Sequence, residues 1–234
     1  MASKIFSSLK NKNNDSYDIA VKTRPNSPYS EAFRKIPINL RYVNVDQEPK
    51  VIQITSSLPG EYKTTTSSNL AAVYDELGYK VILIDCDLRR PKVHRATKLL
   101  NDVGLTNYLV DKISYEELIV KSEYGFDVIT SGEQVPYPHV VLSSERFKEL
   151  LTKLELEYDY IIIDSPPVLA ATDSLILSEV VDSTLFVINQ KVAKKSEVKE
   201  ALHLLNEAKA DIAGIVLSNT DKKLFGYGKY GKYY

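Results

Sequence analysis

The fold of this chain is decided by residues 51–66, which read VIQITSSLPGEYKTTT. The first five, Val51-Ile52-Gln53-Ile54-Thr55, are mostly β-branched and predict a buried strand. Residues 64–77 predict a helix, and Gly78 suits the position just past its end. A glycine-bearing loop between a buried strand and a helix directs backbone N–H groups and the positive end of the helix toward one point. The stretch therefore predicts a binding site for phosphate groups.

The loop between this strand and helix matches part of a nucleotide-binding template. It ends in Lys63-Thr64, as G-x-x-x-x-G-K-[ST] requires, but lacks both template glycines and carries Gly60 at another position. In the template the lysine contacts the β- and γ-phosphates and the hydroxyl binds Mg²⁺. For the loop taken by itself, an ordinary strand–loop–helix turn is the alternative. We assign nucleotide contacts to Pro59, Gly60, Glu61, Tyr62, Lys63, Thr64 and Thr65.

Aspartates follow two more apolar strands, predicted over residues 81–85 and 160–164. Asp85 and Asp87 lie at the end of the first strand, at positions i and i+2, and Asp164 lies at the end of the second. The carboxyl ends of the strands form the ligand-binding edge of an open α/β sheet. Carboxylates beside a triphosphate repel it unless a cation such as Mg²⁺ lies between them, and one of them can accept a proton from an attacking hydroxyl. Capping or surface aspartates are the alternative.

Helical and strand patterns alternate along the rest of the chain. This alternation predicts an α/β fold of the P-loop type, with a mostly parallel sheet, right-handed crossovers and helices on both faces. Pro37 is expected to break or end the short helix predicted over residues 30–39, and residues 92–125 show short helical and turn patterns. The remaining predicted strands are 126–130, 183–188 and 213–217, and the remaining predicted helices are 30–39, 144–156, 172–181 and 196–208.

The two ends of the chain differ in composition from its middle. Residues 1–27 are polar and predict a flexible N-terminal arm, whereas residues 28–220 form a single predicted domain. Residues 221–234 are rich in Tyr, Gly and Lys and predict a disordered tail. The chain has 16 Tyr and no Trp, and its tail ends in a cluster made of Tyr227, Tyr230, Tyr233 and Tyr234.

Composition narrows the classes of function. A net charge of −1 offers no basic field for nucleic acid. The single cysteine, Cys86, excludes an internal disulfide and fits a reducing compartment. No stretch approaches the roughly 20 apolar residues of a membrane span, and the N-terminal residues show no signal-peptide pattern. We therefore expect a cytoplasmic protein that is recruited to a membrane, if at all, by a partner.

Four segments carry a resemblance to a known family. They read SPYSEAFR at 27–34, IDCDLRRPKVH at 84–94, YDYIIIDSPPV at 158–168, and the tyrosine cluster of the tail. Together they resemble the bacterial tyrosine kinases, or BY-kinases, of capsule and exopolysaccharide operons in their stand-alone Gram-positive form. That family is related to the deviant-Walker P-loop ATPases of septum placement and partition. The resemblance covers residues 28–220 and the tail.

The resemblance implies an activity and assigns roles to residues. The γ-phosphoryl group of ATP would pass to tyrosines in the tail of a neighbouring subunit, so Tyr227, Tyr230, Tyr233 and Tyr234 would be phosphoacceptors. Lys63 would hold the phosphates, and Asn219 would contact the adenine base. Asp85 or Asp87 would serve as base and metal partner. The implied catalytic set is Lys63, Asp85, Asp87 and Asp164, and the implied Mg²⁺ set is Thr64, Asp87 and Asp164, the last acting through water.

The resemblance also implies partners. The family forms a homo-oligomeric ring when unphosphorylated, and its stand-alone members need a membrane-embedded activator of the polysaccharide machinery. A cognate tyrosine phosphatase would reverse the phosphorylation. Through this cycle the family regulates capsular and exopolysaccharide synthesis and export.

Four positions depart from the family pattern. Tyr62 stands where the family has Gly, Pro37 where it has Arg, and Tyr137 and Val140 where it has Asn and Glu. Two alternatives to an active kinase follow. One is a weak or inactive nucleotide-binding relative with a regulatory role. The other is a partition-type ATPase, against which the tyrosine-rich tail argues.

Overall fold

A single sheet forms the centre of the fold. The computed structural model describes residues 17–43 and 48–219. The strands in these residues are β1 Val51–Ser56, β2 Val81–Asp85, β3 Val120–Lys121, β4 Asp127–Ile129, β5 Tyr160–Asp164, β6 Ser183–Asn189 and β7 Ile212–Ser218. They are ordered β3-β4-β2-β5-β1-β6-β7. All neighbouring pairs are parallel except the edge pair of β3 and β4.

Helices cover both faces of this sheet. Those in the described residues are α1 Ala20–Thr23, α2 Pro28–Val43, α3 Lys63–Glu76, α4 Val93–Thr97, α5 Leu105–Leu109, α6 Tyr115–Leu118, α7 Pro138–Leu142, α8 Glu145–Glu157, α9 Asp173–Ser178 and α10 Lys195–Glu207. The first four contribute to the core layer on one face of the sheet. The remaining helices contribute to the layers on the other face.

Strand β5 illustrates why the central strands are apolar without alternation. Ile162 belongs to the core layer shared with α3, whereas Ile161 and Ile163 belong to the layer shared with α8. All three are fully buried, as is typical of a parallel strand covered on both faces. The predicted mostly parallel sheet with helices on both faces is therefore confirmed.

The prediction that Pro37 ends the first helix is wrong. Helix α2 continues through Pro37 to Val43, and the proline itself is buried. Proline inside a helix costs roughly 3 kcal/mol because it removes one hydrogen bond and crowds the preceding turn. Here Phe33 and Ile36 before the proline, and Leu40 after it, all pack on the same core layer. Burial of this apolar face outweighs the local cost.

The N-terminal arm is also shorter than predicted. Within residues 17–27, Ile19 and Val21 are at most 1% exposed and join the core. Asn69 of α3 fixes this segment, since its Oδ1 accepts from Val21 N at 3.1 Å and its Nδ2 donates to Asp18 O at 3.0 Å. The prediction of a flexible arm is therefore wrong for residues 17–27. The rest of the predicted arm and the tail 221–234 lie outside the described residues.

Strand β3 has no counterpart among the predicted elements. It has two residues, both exposed, and it pairs antiparallel with β4 at the sheet edge. So short and exposed a strand leaves no hydrophobic period to detect. None of the helices in residues 17–43 and 48–219 combines the length and apolar character needed to cross a bilayer.

Candidate active site

The loop between β1 and α3 contains two residues with positive φ. Gly60 has φ 84°, and Tyr62 has φ 68° and ψ 30°. Glycine reaches this left-handed region freely, whereas a β-carbon there costs roughly 1–2 kcal/mol. Tyr62 thus holds the backbone conformation that favours glycine, at the position where the nucleotide-binding template has one. Its side chain is 42% exposed.

Glu61 braces this loop from inside. Its fully buried carboxylate accepts from Ser57 Oγ and Leu58 N, both at 2.7 Å, and from Asn189 N at 3.0 Å. The Asn189 side chain in turn donates to Gly60 O at 3.2 Å. The loop is therefore tied to the end of β6. Because the Glu61 side chain is engaged in this way, a nucleotide contact at this position falls to its main chain.

Lys63, Thr64 and Asp164 meet at the start of α3. Thr64 Oγ1 donates to Asp164 Oδ2 at 2.6 Å. Burial lowers the pKa of Lys63, and the nearby carboxylates of Asp164 and Asp87 oppose this shift. Burial raises the pKa of Asp164 to about 6, against the effect of the Lys63 ammonium. The Lys63 ammonium and the carboxylates of Asp164 and Asp87 therefore lie close together in a buried position.

The two aspartates after β2 have different surroundings. Asp85 is fully buried, with Oδ2 accepting from Lys92 N and Val93 N at 3.0 Å and Oδ1 accepting from Asp87 N at 3.3 Å. These bonds shape the loop that leads into α4. Asp87 lines an open cleft beside Lys63. Asp87 therefore faces the cleft that the described residues enclose, whereas Asp85 does not line it.

The cleft has a volume of about 440 Å³. Most of the predicted nucleotide-binding loop lines it, and so do the basic residues Arg89, Arg90 and Lys92, which were not among the predicted site residues. Arg89 is held in place by the fully buried Asp173, to which it donates at 2.7 and 3.2 Å. The cluster of basic residues just after Asp87 in the sequence could have indicated this basic side of the cleft. The cleft is lined by Tyr17, Pro59, Gly60, Tyr62, Lys63, Thr64, Thr65, Asp87, Arg89, Arg90, Lys92, Pro166, Pro167, Ala170 and Ala171.

The donor set fits a hard divalent cation. Asp164 Oδ1 is buried and has no hydrogen-bond partner among the described residues, so it can accept a cation or its water ligand. Within the same residues, no group of three His, Cys, Asp or Glu side chains is placed to hold a metal ion. Mg²⁺ suits such a site, because it usually takes one or two carboxylates and completes its shell with waters and substrate phosphates.

Comparison with known proteins identifies the family. The model described as AAA domain matches residues 49–216. The tyrosine-protein kinase YwqD of Bacillus subtilis (strain 168) is 41% identical over 217 residues, which cover 92% of this chain and 91% of YwqD. This chain belongs to the AAA-domain family, among the bacterial tyrosine-protein kinases. The family predicted from the sequence is therefore confirmed, and with it the P-loop fold class.

Other relatives of the kinase agree. The putative tyrosine-protein kinase CapB of Staphylococcus aureus is 34% identical, and the match covers 91% of this chain and 94% of CapB. Among solved structures, the chimerical protein CapA2B2 has a TM-score of 0.84 at 35% identity, covering 87% of this chain and 90% of that one. The kinase domain of Escherichia coli ETK also has a TM-score of 0.84, at 32% identity, covering 88% and 81%.

The remaining predicted residues of the kinase lie at the periphery or outside the described part. Asn219 follows β7 and donates from Nδ2 to the Tyr62 hydroxyl at 3.3 Å. Tyr137 and Val140, two of the departures from the family pattern, are 65% and 56% exposed. The four predicted phosphoacceptors, Tyr227, Tyr230, Tyr233 and Tyr234, lie outside the described residues.

Proposed function

We propose that this kinase transfers the γ-phosphoryl group of ATP to tyrosine hydroxyls in the C-terminal cluster of a neighbouring subunit. One observation carries the proposal. Lys63, Thr64 and Asp87 line one cleft, and the buried Asp164 at the end of β5 lies directly behind it, where it accepts a hydrogen bond from the Thr64 hydroxyl and acts on the charge of Lys63. This combination of a buried cation, a hydroxyl and carboxylates at the ligand edge of an α/β sheet is suited to phosphoryl transfer.

The phosphates would bind at the start of α3. The first backbone N–H groups of a helix have no partner within the helix and attract anions. Lys63 adds a full positive charge, and the carboxylates of Asp164 and Asp87 favour its charged form against the effect of burial. Thr64, Asp87 and Asp164 would hold Mg²⁺, which neutralises charge on the β- and γ-phosphate oxygens when bound.

Asp87 is the carboxylate that we assign as base. The tyrosine oxygen bonds to the γ-phosphorus, the bond from that phosphorus to the β,γ-bridging oxygen breaks, and ADP leaves with the electron pair. The hydroxyl proton passes to Asp87, which lines the cleft. Burial raises the pKa of Asp87, which favours its acting as a proton acceptor, while Lys63 opposes that shift. Asp85, the other aspartate that the resemblance implies as base, has both oxygens engaged by backbone N–H groups.

The tail supplies the phosphoacceptors in this proposal. Phosphorylation of its four clustered tyrosines would add roughly −6 to −8 charges at neutral pH, enough to reverse the charge of a tail that carries Lys229 and Lys232. We propose that this change dissolves a ring of subunits. A membrane-embedded activator would recruit the cytoplasmic kinase, and a tyrosine phosphatase would reset it. The process regulated would be capsular or exopolysaccharide synthesis.

The alternatives that the sequence left open have less support. The septum site-determining protein MinD of Pyrococcus horikoshii shares 22% identity at a TM-score of 0.61, a likeness that concerns the fold alone. Two tyrosine-protein kinases match at 41% and 34% identity over most of the chain. An inactive relative was suggested by Tyr62, yet this residue keeps the left-handed backbone conformation that favours glycine.

Incubation of the purified full-length chain with Mg-ATP, followed by anti-phosphotyrosine blotting, tests the proposal. We expect a signal that is lost in Lys63→Ala and in a variant with all four tail tyrosines changed to Phe. Lys148→Ala, on the exposed face of α8, is the matched lysine control and should keep the signal. Absence of tail phosphorylation, even with the activator's cytoplasmic segment added, would contradict the proposed function.

A further inference from the structure

Tyr62 joins the phosphate loop to the far end of the sheet. Its hydroxyl accepts from Asn219, the residue that follows β7, and its side chain remains 42% exposed. The residue also lines the cleft that holds Lys63. Its carbonyl is occupied by Thr66, whose N and Oγ1 donate to it at 2.9 and 2.8 Å. The backbone of Tyr62 is therefore fixed, and its ring projects toward β7 from a rigid base.

The order of the strands indicates how a nucleotide would be oriented in the cleft. Strands β5 and β2 lie on one side of β1, and β6 and β7 lie on the other. The proposed Mg²⁺ ligand Asp164 ends β5, and the proposed base Asp87 follows β2. Tyr62 and Asn219 meet on the opposite side. A nucleotide with its terminal phosphate near Asp87 and its other phosphates along the loop would extend its nucleoside toward β6 and β7.

We propose that the Tyr62 ring, steadied by Asn219, forms a nucleoside subsite on which the base of the bound nucleotide stacks. The inference rests on the proposed function, since it presumes a nucleotide with phosphates at Lys63. A base gains from stacking on an aromatic ring whatever its hydrogen-bonding groups. Tyr62 would then replace the glycine of the template with a residue that keeps the loop conformation and adds a contact to the base.

Binding measurements can separate this contact from the phosphate contacts. We would titrate the full chain with ADP and with inorganic pyrophosphate, both in excess Mg²⁺, by isothermal calorimetry. Tyr62→Ala retains the β-carbon and removes the ring. We expect about a tenfold loss of ADP affinity, as for an aromatic stacking contact, and less than about a twofold change for pyrophosphate.

Three further variants sharpen the test. Tyr62→Phe keeps the ring and loses the bond to Asn219, so it should weaken ADP binding by less than Tyr62→Ala does. Asn219→Ala removes the donor to the same hydroxyl and also the adenine contact that the resemblance implies for Asn219, so it should weaken ADP binding at least as much as Tyr62→Phe does. Tyr62→Gly removes the ring and relieves the left-handed strain, so its ADP affinity, compared with that of Tyr62→Ala, isolates the backbone effect.

Other results would overturn the inference. If Tyr62→Ala binds ADP as tightly as the parent chain or more tightly, the ring is no platform for the base. Equal losses for ADP and pyrophosphate would assign the effect to the phosphate loop. Both results leave the proposed function in place, whereas failure of the parent chain to bind ADP and pyrophosphate at all would reject the nucleotide site itself.

Discussion

The loops after β1 and β2 are built on the same plan with different contents. Each is held by one buried carboxylate that accepts backbone N–H groups: Glu61 within the first loop, and Asp85, the last residue of β2, at the start of the second. Each also presents nearby residues to the cleft, Lys63 in the first and Asp87 in the second. The comparison shows that acidic residues close in sequence can have different roles. Asp85 fixes the backbone of its loop, whereas Asp87 lines the cleft where the substrate is proposed to bind.

The largest effect should separate Asp87 from Asp85. Asp87→Asn removes the proposed base, and we expect phosphorylation to fall by about 10³-fold, within the range for loss of a general base. The free energy of unfolding should change by less than about 1 kcal/mol, since the Asn oxygen can still accept from Arg90 N. Initial rates of tail phosphorylation and urea denaturation of the same preparation measure both quantities. A fully active Asp87→Asn kinase would remove this residue from the mechanism.

Substitution of Asp85, unlike that of Asp87, should mainly reduce the stability of the fold. Asp85→Ala leaves the N–H groups of Asp87, Lys92 and Val93 without their buried acceptor, so we expect a loss of about 3 kcal/mol in the free energy of unfolding. Urea denaturation followed by circular dichroism measures this loss. Asp85→Asn retains an oxygen acceptor and serves as the control, with a smaller loss. An Asp85→Ala variant as stable as the parent chain would contradict the loop-shaping role.

Glu61 should behave as Asp85 does, on a smaller scale. Glu61→Ala removes the acceptor of Leu58 N and Asn189 N, and we expect about 2 kcal/mol of destabilisation. Because the loop would lose its tie to β6, phosphate binding should weaken as well. Glu61→Gln keeps one acceptor oxygen and should fall between Glu61→Ala and the parent. Thermal unfolding measures the loss of stability, and calorimetric titration with pyrophosphate measures phosphate binding. A Glu61→Ala variant that is less stable but binds pyrophosphate as the parent does would contradict the role of Glu61 in shaping the phosphate loop.

The smallest effect concerns Tyr62. Tyr62→Gly relieves left-handed strain of roughly 1–2 kcal/mol but adds the entropy cost of glycine, roughly 0.5–1 kcal/mol. The net change should be a gain of about 0.5 kcal/mol, or about 1–2 °C in Tm for a domain of this size. Scanning calorimetry of the nucleotide-free chain resolves such a shift. A lower Tm than that of the parent would mean that the ring and its bond to Asn219 outweigh the strain.

Much of the site was predictable because its residues lie at strand ends. Asp164 directly follows Tyr160 and three isoleucines, and Lys63-Thr64 follows a buried strand. A parallel sheet is therefore enough to bring these strand ends close together. The division of roles between Asp85 and Asp87 was not predictable, since both lie at the same strand end. The cleft wall at Tyr17 was missed because residues 17–27 read as polar and flexible, although Asn69 anchors them.

The sequence by itself determined the sheet, the phosphate loop and the family. These depend on local patterns: the spacing of apolar residues, the aspartates at strand ends and the Lys63-Thr64 pair. Such patterns have nearly the same physical meaning whatever the rest of the chain contains. The tertiary structure alone decided that α2 passes through Pro37, that residues 17–27 belong to the core and that Asp85 turns inward. Each of these depends on contacts between segments distant in sequence or on hydrogen bonds that form only in the folded loop. The free energies of these contacts and hydrogen bonds exceed those of the local conformational preferences, which are all that a sequence pattern reflects.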